Sequence, residues 1–83
     1  MDAVRKVRIG MAGCGTVGGG VVALLAQQGD AIARRCGVAL QLDRVLVRDL
    51  DRDRSVKLPG EVLTTEASAL LAPDIDLVIE VLG

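Results

Sequence analysis

The chain contains no Trp, Tyr, Phe or His, only two cysteines and two prolines, and no surplus of either charge. Each absence removes a class of function. Without aromatic rings there is no platform on which bases can stack, which excludes the usual recognition of RNA or single-stranded DNA. Ten Lys and Arg against eleven Asp and Glu leave a net charge of −1, and no basic face for a nucleic-acid backbone or an anionic membrane. Without histidine the chain lacks the commonest metal ligand and the commonest general base at neutral pH. Cys14 and Cys36 are too few for a disulfide framework or a zinc site. Both are expected to be reduced, each a small buried apolar residue, in a cytoplasmic setting. Cys14 could serve as a nucleophile only beside a partner base, and none is visible.

A long hydrophobic run is missing as well. Arg5, Lys6 and Arg8 before an uncharged stretch at 9–29 imitate a secretory leader, and Met11-Ala12-Gly13-Cys14 imitates a lipoprotein cleavage box. The apolar run before Cys14 is too short, however, Arg8 interrupts it, and seven glycines dilute the stretch. Secretion and membrane insertion are therefore not expected.

What is present is a glycine cluster between two different periodicities. Val7, Ile9 and Met11 alternate with Arg8, Gly10 and Ala12, the period of a strand. Gly13, Gly15 and Gly18 then form G-x-G-x-x-G. After them Val21, Leu25, Ile32 and Cys36 continue from Val17 on one helical stripe. Strand, glycine turn and helix in that order form the dinucleotide-binding fingerprint. Gly13 permits the tight turn, Gly15 lets the backbone approach a pyrophosphate, and Gly18 lets the helix lie close to the strand. The N–H groups near Thr16 to Gly18 lack intrahelical partners and sit at the positive end of the helix dipole, where an anionic diphosphate satisfies them. Gly18, Gly19 and Gly20 each cost about 1 kcal/mol of helix propensity relative to Ala, so close approach to a ligand or to the sheet must offset them.

The spacing predicts strands at 4–12, 39–48 and 75–82, a long helix at 16–36 capped by Gly37, a short strand at 61–64, and a second helix at 66–71 capped by Thr64 or Thr65 and ended by Pro73. The near-continuous apolar run at 75–82 reads as a parallel strand covered on both faces and lying beside the first. The fold expected is α/β: a Rossmann-type parallel sheet with flanking helices, first mononucleotide-binding half only. The 83 residues, 51% hydrophobic and 25% charged, suit one small domain. Residues 1–83 are read as a partial NAD(P)-binding domain, with a substrate domain outside this chain. The strand at 75–82 would then carry an unpaired apolar edge through which a second copy could associate.

Cofactor choice falls to the end of the second strand, Val47-Arg48-Asp49. A carboxylate there hydrogen-bonds the ribose 2′-hydroxyl of NAD, whereas an arginine pairs with the 2′-phosphate of NADP. Asp49 lies further from Gly18 than the usual ~20 residues, an excess the long helix explains. Arg48 comes first after the buried strand and Lys57 could add a second cation, so NADP is favoured over NAD. The charged run from Asp49 to Arg54 otherwise reads as a solvated loop. Leu82 and Gly83 would line the nicotinamide side with their backbone. Glu80 is either a buried polar residue or faces the cofactor.

The stretch from Ile9 to Val22, the helix through Asp30-Ala31-Ile32-Ala33-Arg34, Val45-Leu46-Val47-Arg48-Asp49, and the closing Asp74-Ile75-Asp76-Leu77-Val78-Ile79-Glu80-Val81-Leu82-Gly83 resemble the N-terminus of homoserine dehydrogenases. The resemblance implies an NAD(P)-dependent oxidoreductase that interconverts aspartate semialdehyde and homoserine in threonine, methionine and isoleucine biosynthesis. It implies that Thr16 and Val17 contact the cofactor phosphates through their backbone, and that Arg48, with Lys57 as a weaker counterpart, contacts the adenosine ribose or its phosphate. The family's catalytic lysine and substrate carboxylates belong to a later domain, so no catalytic residue is expected here. Two other readings fit the residues: a non-catalytic nucleotide-sensing Rossmann module, and a related semialdehyde or amino-acid dehydrogenase.

Overall fold

The computed structural model describes residues 5–50, 58 and 60–81. The element order is strand β1 (Arg5–Ala12), helix α1 (Thr16–Cys36), β2 (Val38–Leu46), β3 (Leu63–Thr64), a five-residue 3-10 helix (Ala67–Leu71) and β4 (Leu77–Glu80). The four strands form one parallel sheet in the order β3-β2-β1-β4. This is the arrangement of a Rossmann-type half, in which the strand order reverses between β1 and β4. No described helix is long and apolar enough to cross a membrane.

Alternation along β1 assigns its residues to two faces. Met11 pairs with Val45 on β2 and Ile79 on β4, and all three belong to the core under α1. Met11 and Val45 are 0% exposed. Gly10 faces the other way, where a Cβ would lie 3.0 Å from Leu70 Cδ2 of the 3-10 helix and 3.4 Å from Ile75 Cγ2. The missing side chain lets the 3-10 helix settle on the sheet.

Helix α1 spans the predicted residues. Gly37 ends it at φ 66°, a left-handed conformation that suits glycine, and its N–H donates to Ala33 O at 3.0 Å. Arg34 and Arg35 lie in the last turn, where cations complement the helix dipole. The buried flank is not the stripe expected. Gly18 and Gly19 are its buried residues, with Val21 and Val22 packed on the core. Val17 is therefore turned outward, 66% exposed, as is Leu24 seven residues on. Cys36 is exposed rather than buried, whereas Cys14 is half-buried against the core; both are free.

Four further expectations change. The helix predicted at 66–71 is a 3-10 helix over Ala67–Leu71, the winding common in such short connectors. Its N-cap is Glu66, whose N–H donates to Thr64 Oγ1 at 3.0 Å. The second strand stops at Leu46, although Val47 stays buried and its N–H donates to Thr64 O. The last strand is shorter than 75–82 and lies at the sheet edge. It pairs with β1 alone among the described strands, which leaves Leu77 48% and Val78 44% exposed instead of covered on both faces. Glu80 is exposed, not buried.

Asp76 fixes the start of this edge. Its N–H donates to Arg8 O at 2.8 Å, and its carboxylate accepts the Arg8 N–H at 2.9 Å. The side chain thus pairs a β1 amide that lies beyond the reach of the β4 ladder.

Candidate functional site

Ala12 pairs with Leu46 on one side and Glu80 on the other, so three parallel strands end level with one another. The segments that leave them, Gly13-Cys14-Gly15, Val47-Arg48-Asp49 and Val81, emerge from one edge of the sheet. Ligands of open α/β sheets bind outside this edge. The fold therefore brings the glycine turn and the Val47-Arg48-Asp49 segment to one end of the sheet.

The three fingerprint glycines differ in what demands them. Gly13 has φ 98°, a conformation that side chains rarely adopt, and its N–H donates to Leu46 O at 2.9 Å. Gly18 is buried, and a Cβ there would meet Gly13 O at 3.1 Å, Met11 Cε at 3.3 Å and Val81 Cγ2 at 3.3 Å. Gly15 is exposed, and a Cβ there would meet nothing within 4 Å. Turning and packing explain Gly13 and Gly18. Neither explains Gly15, whose open side borders solvent at the helix start.

That start is bare. Gly15 is the N-cap, with no side-chain capping bond and no acidic residue in the first turn. Its carbonyl accepts the Gly19 N–H at 2.8 Å, which begins the helical ladder. Thr16 and Val17 are exposed beside it. An anion matches such an end both electrostatically and by hydrogen bonding. The 3-10 helix likewise lacks a side-chain capping bond, although the Thr64 hydroxyl accepts the N–H of its N-cap residue, Glu66.

Arg48 and Asp49 are both exposed just past the end of β2. Asp49 and Glu80 each carry an interaction within the chain. Lys57, Leu82 and Gly83 lie outside the described residues. Among the described residues no three His, Cys, Asp or Glu side chains are placed to hold a metal ion.

A second polar feature escaped the sequence reading. The β1–β2 register shifts between Ile9 and Gly10, leaving Asp43 as an extra residue in β2. Asp43 is 8% exposed. Its carboxylate accepts from Arg8 Nη1 at 3.2 Å and from Gln41 Nε2, and its carbonyl accepts from Arg44 Nη1 at 2.9 Å. A cavity of about 590 Å³ opens here, lined by Arg8, Gln41, Asp43, Arg44, Thr64 and Asp74 among others. It borders β1 and β2 away from the glycine turn. The available signal was Gln41 and Asp43 at alternate positions of a strand that otherwise buries apolar residues.

A family model described as "Homoserine dehydrogenase, NAD binding domain" matches residues 13–83. The chain is 43% identical over 81 residues to the homoserine dehydrogenase of Bacillus subtilis, covering 96% of this chain and 19% of that protein. It is 44% identical over 79 residues to that of Synechocystis sp., covering 93% and 18%. The crystal structure of S. aureus homoserine dehydrogenase at pH 8.5 superposes with a TM-score of 0.87 at 28% identity, over 96% of this chain and 20% of that one. The chain thus spans about a fifth of the length of the relatives it matches.

Proposed function

The chain belongs to the homoserine dehydrogenase family, within its NAD-binding domain, and on that premise we propose that its glycine turn holds the diphosphate of NADP or NAD. The observation that carries this reading is Gly15: it is exposed, no atom of the described residues would meet a Cβ there, and it caps a helix that lacks a side-chain capping bond. A diphosphate explains both features, because it needs backbone approach without a Cβ and donors without competitors.

In this reading the backbone of Gly13, Gly15, Thr16, Val17 and Gly18 forms the diphosphate cradle. Arg48 pairs with the 2′-phosphate, so NADP is preferred, and Asp49 would take the ribose hydroxyl of NAD. Lys57 adds a cation, and Leu82 and Gly83 border the nicotinamide ribose. When bound, the nicotinamide supplies the hydride chemistry that interconverts L-aspartate 4-semialdehyde and L-homoserine in a longer protein. The residues of this chain bind and orient the cofactor; none of them is assigned to catalysis. The free cysteines support a cytoplasmic setting. The exposed Leu77 and Val78 of the edge strand β4 support association with a second copy.

Calorimetric titration with ADP-ribose and its 2′-phosphorylated form tests the reading. The phosphorylated form should bind more tightly, and Arg48→Ala should weaken it about tenfold while sparing the plain form. Tighter binding of the plain form would move the assignment to Asp49 and NAD. Binding of neither would overturn the site.

A further inference from the structure

We infer that Val81 is a positioning residue for the glycine turn, a wedge whose size sets how closely the start of α1 approaches the ends of the strands. This rests on the cofactor reading above. The Val81 N–H donates to Ala12 O at 3.0 Å, which carries the β4–β1 pairing one residue past β4 and seats Val81 beside the last residue of β1. From there its Cγ2 stands against Gly18, 3.3 Å from where a Cβ would be, level with Met11 Cε at the same distance. The side chain is half-buried on the Met11, Val45 and Val47 cluster, which Cys14 of the turn also touches. On the far side the turn is held to β2 through the Gly13 N–H and Leu46 O. Backbone bonds therefore fix the turn from both neighbouring strands, while side chains of Met11 and Val81 limit how far the helix start can descend.

A wedge has an optimum size. Alanine would let the helix start settle inward. Isoleucine carries its additional methyl on the branch equivalent to valine Cγ2, the atom nearest Gly18, and would push the helix start outward. Either shift moves N–H groups whose value to a diphosphate depends on placement within a fraction of an ångström. A purely structural Val81 behaves differently, because isoleucine retains the apolar area and the β-branched shape that suits this position.

The test is calorimetric titration of the wild-type chain, Val81→Ala and Val81→Ile with ADP-ribose and its 2′-phosphorylated form, alongside their thermal melts. Val81→Ile is expected to stay folded at the titration temperature yet bind about tenfold more weakly, and Val81→Ala to lose both affinity and melting temperature. Wild-type affinity in Val81→Ile would overturn the positioning role. Should that variant fail to fold, wild-type affinity in Val81→Ala would overturn it equally. A wild-type chain that binds neither probe would instead overturn the cofactor reading and this inference with it.

Discussion

Gly10 and Met11 are neighbours in the chain, yet they face two sides of the sheet that are built by different means. On the Met11 side a 21-residue helix covers the strands and brings Gly18 and Gly19 down onto them. On the Gly10 side a five-residue 3-10 helix places only Leu70 in the core. Beside it lies a polar cluster: Asp43 at the bulge, Arg8 and Gln41 bound to it, and a cavity among them. The long helix starts at the sheet edge without a side-chain capping bond, which is the end where the proposed anion site lies. The short one leaves the strands beneath it to satisfy their charges sideways.

The largest effect that sharpens this contrast is expected at Asp43. Asp43→Ala leaves the Arg8 and Gln41 donors unpaired on the polar side. Arg8 is partly solvated, so the cost is held to about 1–2 kcal/mol in urea unfolding, with dinucleotide affinity unchanged. A loss of affinity there would tie the two sides together. Gly18→Ala comes next. Its methyl meets a backbone oxygen, so overpacking outweighs the ~1 kcal/mol gained in helix propensity and leaves a net loss of about 1 kcal/mol, together with weaker binding. Gly10→Ala is the paired control. It is the closer contact at 3.0 Å, but against the flexible end of Leu70, so it should cost less stability than Gly18→Ala. Equal costs for the two alanines would erase the distinction between the sides. The smallest effect on stability is at the edge. Val78→Lys should leave the melt unchanged while reducing self-association in light scattering, since a charge on an exposed strand blocks edge pairing. A monodisperse wild-type monomer at high concentration would remove the edge from the account.

On the Met11 side the order strand, glycine turn and helix, with both helix ends, is legible in the sequence, but the buried helix face is not. A change from period two to period 3.6 with glycines at the change has few structural solutions, and Gly37 marks the helix end unambiguously. The other side is less legible. Alternation cannot reveal a bulge, so the polar Gln41 and Asp43 in an apolar strand hint at a polar cluster without showing the register shift that buries Asp43. Thr64, Glu66 and Pro73 read as helix signals, but local signals do not decide between α and 3-10 winding over five residues. Large apolar residues put Val17 on the expected stripe, whereas the buried flank of α1 begins with Gly18 and Gly19. The exposure of Leu77 and Val78 depends on what lies next to β4, which an apolar run cannot tell. Within the candidate site, Gly13 and Gly18 could be read from the motif, but the wedge at Val81 required tertiary contacts between segments far apart in sequence.

The most direct test of the central claim is an amide chemical-shift map of the chain titrated with 2′-phosphorylated ADP-ribose. The account predicts that the shifts concentrate at Gly13, Gly15, Thr16, Val17 and Arg48, at the level ends of the strands, and that Arg8, Gln41 and Arg44 stay in place. Shifts centred on Arg8, Gln41 and Arg44, with a silent glycine turn, would put the ligand in the cavity on the polar side and contradict the account.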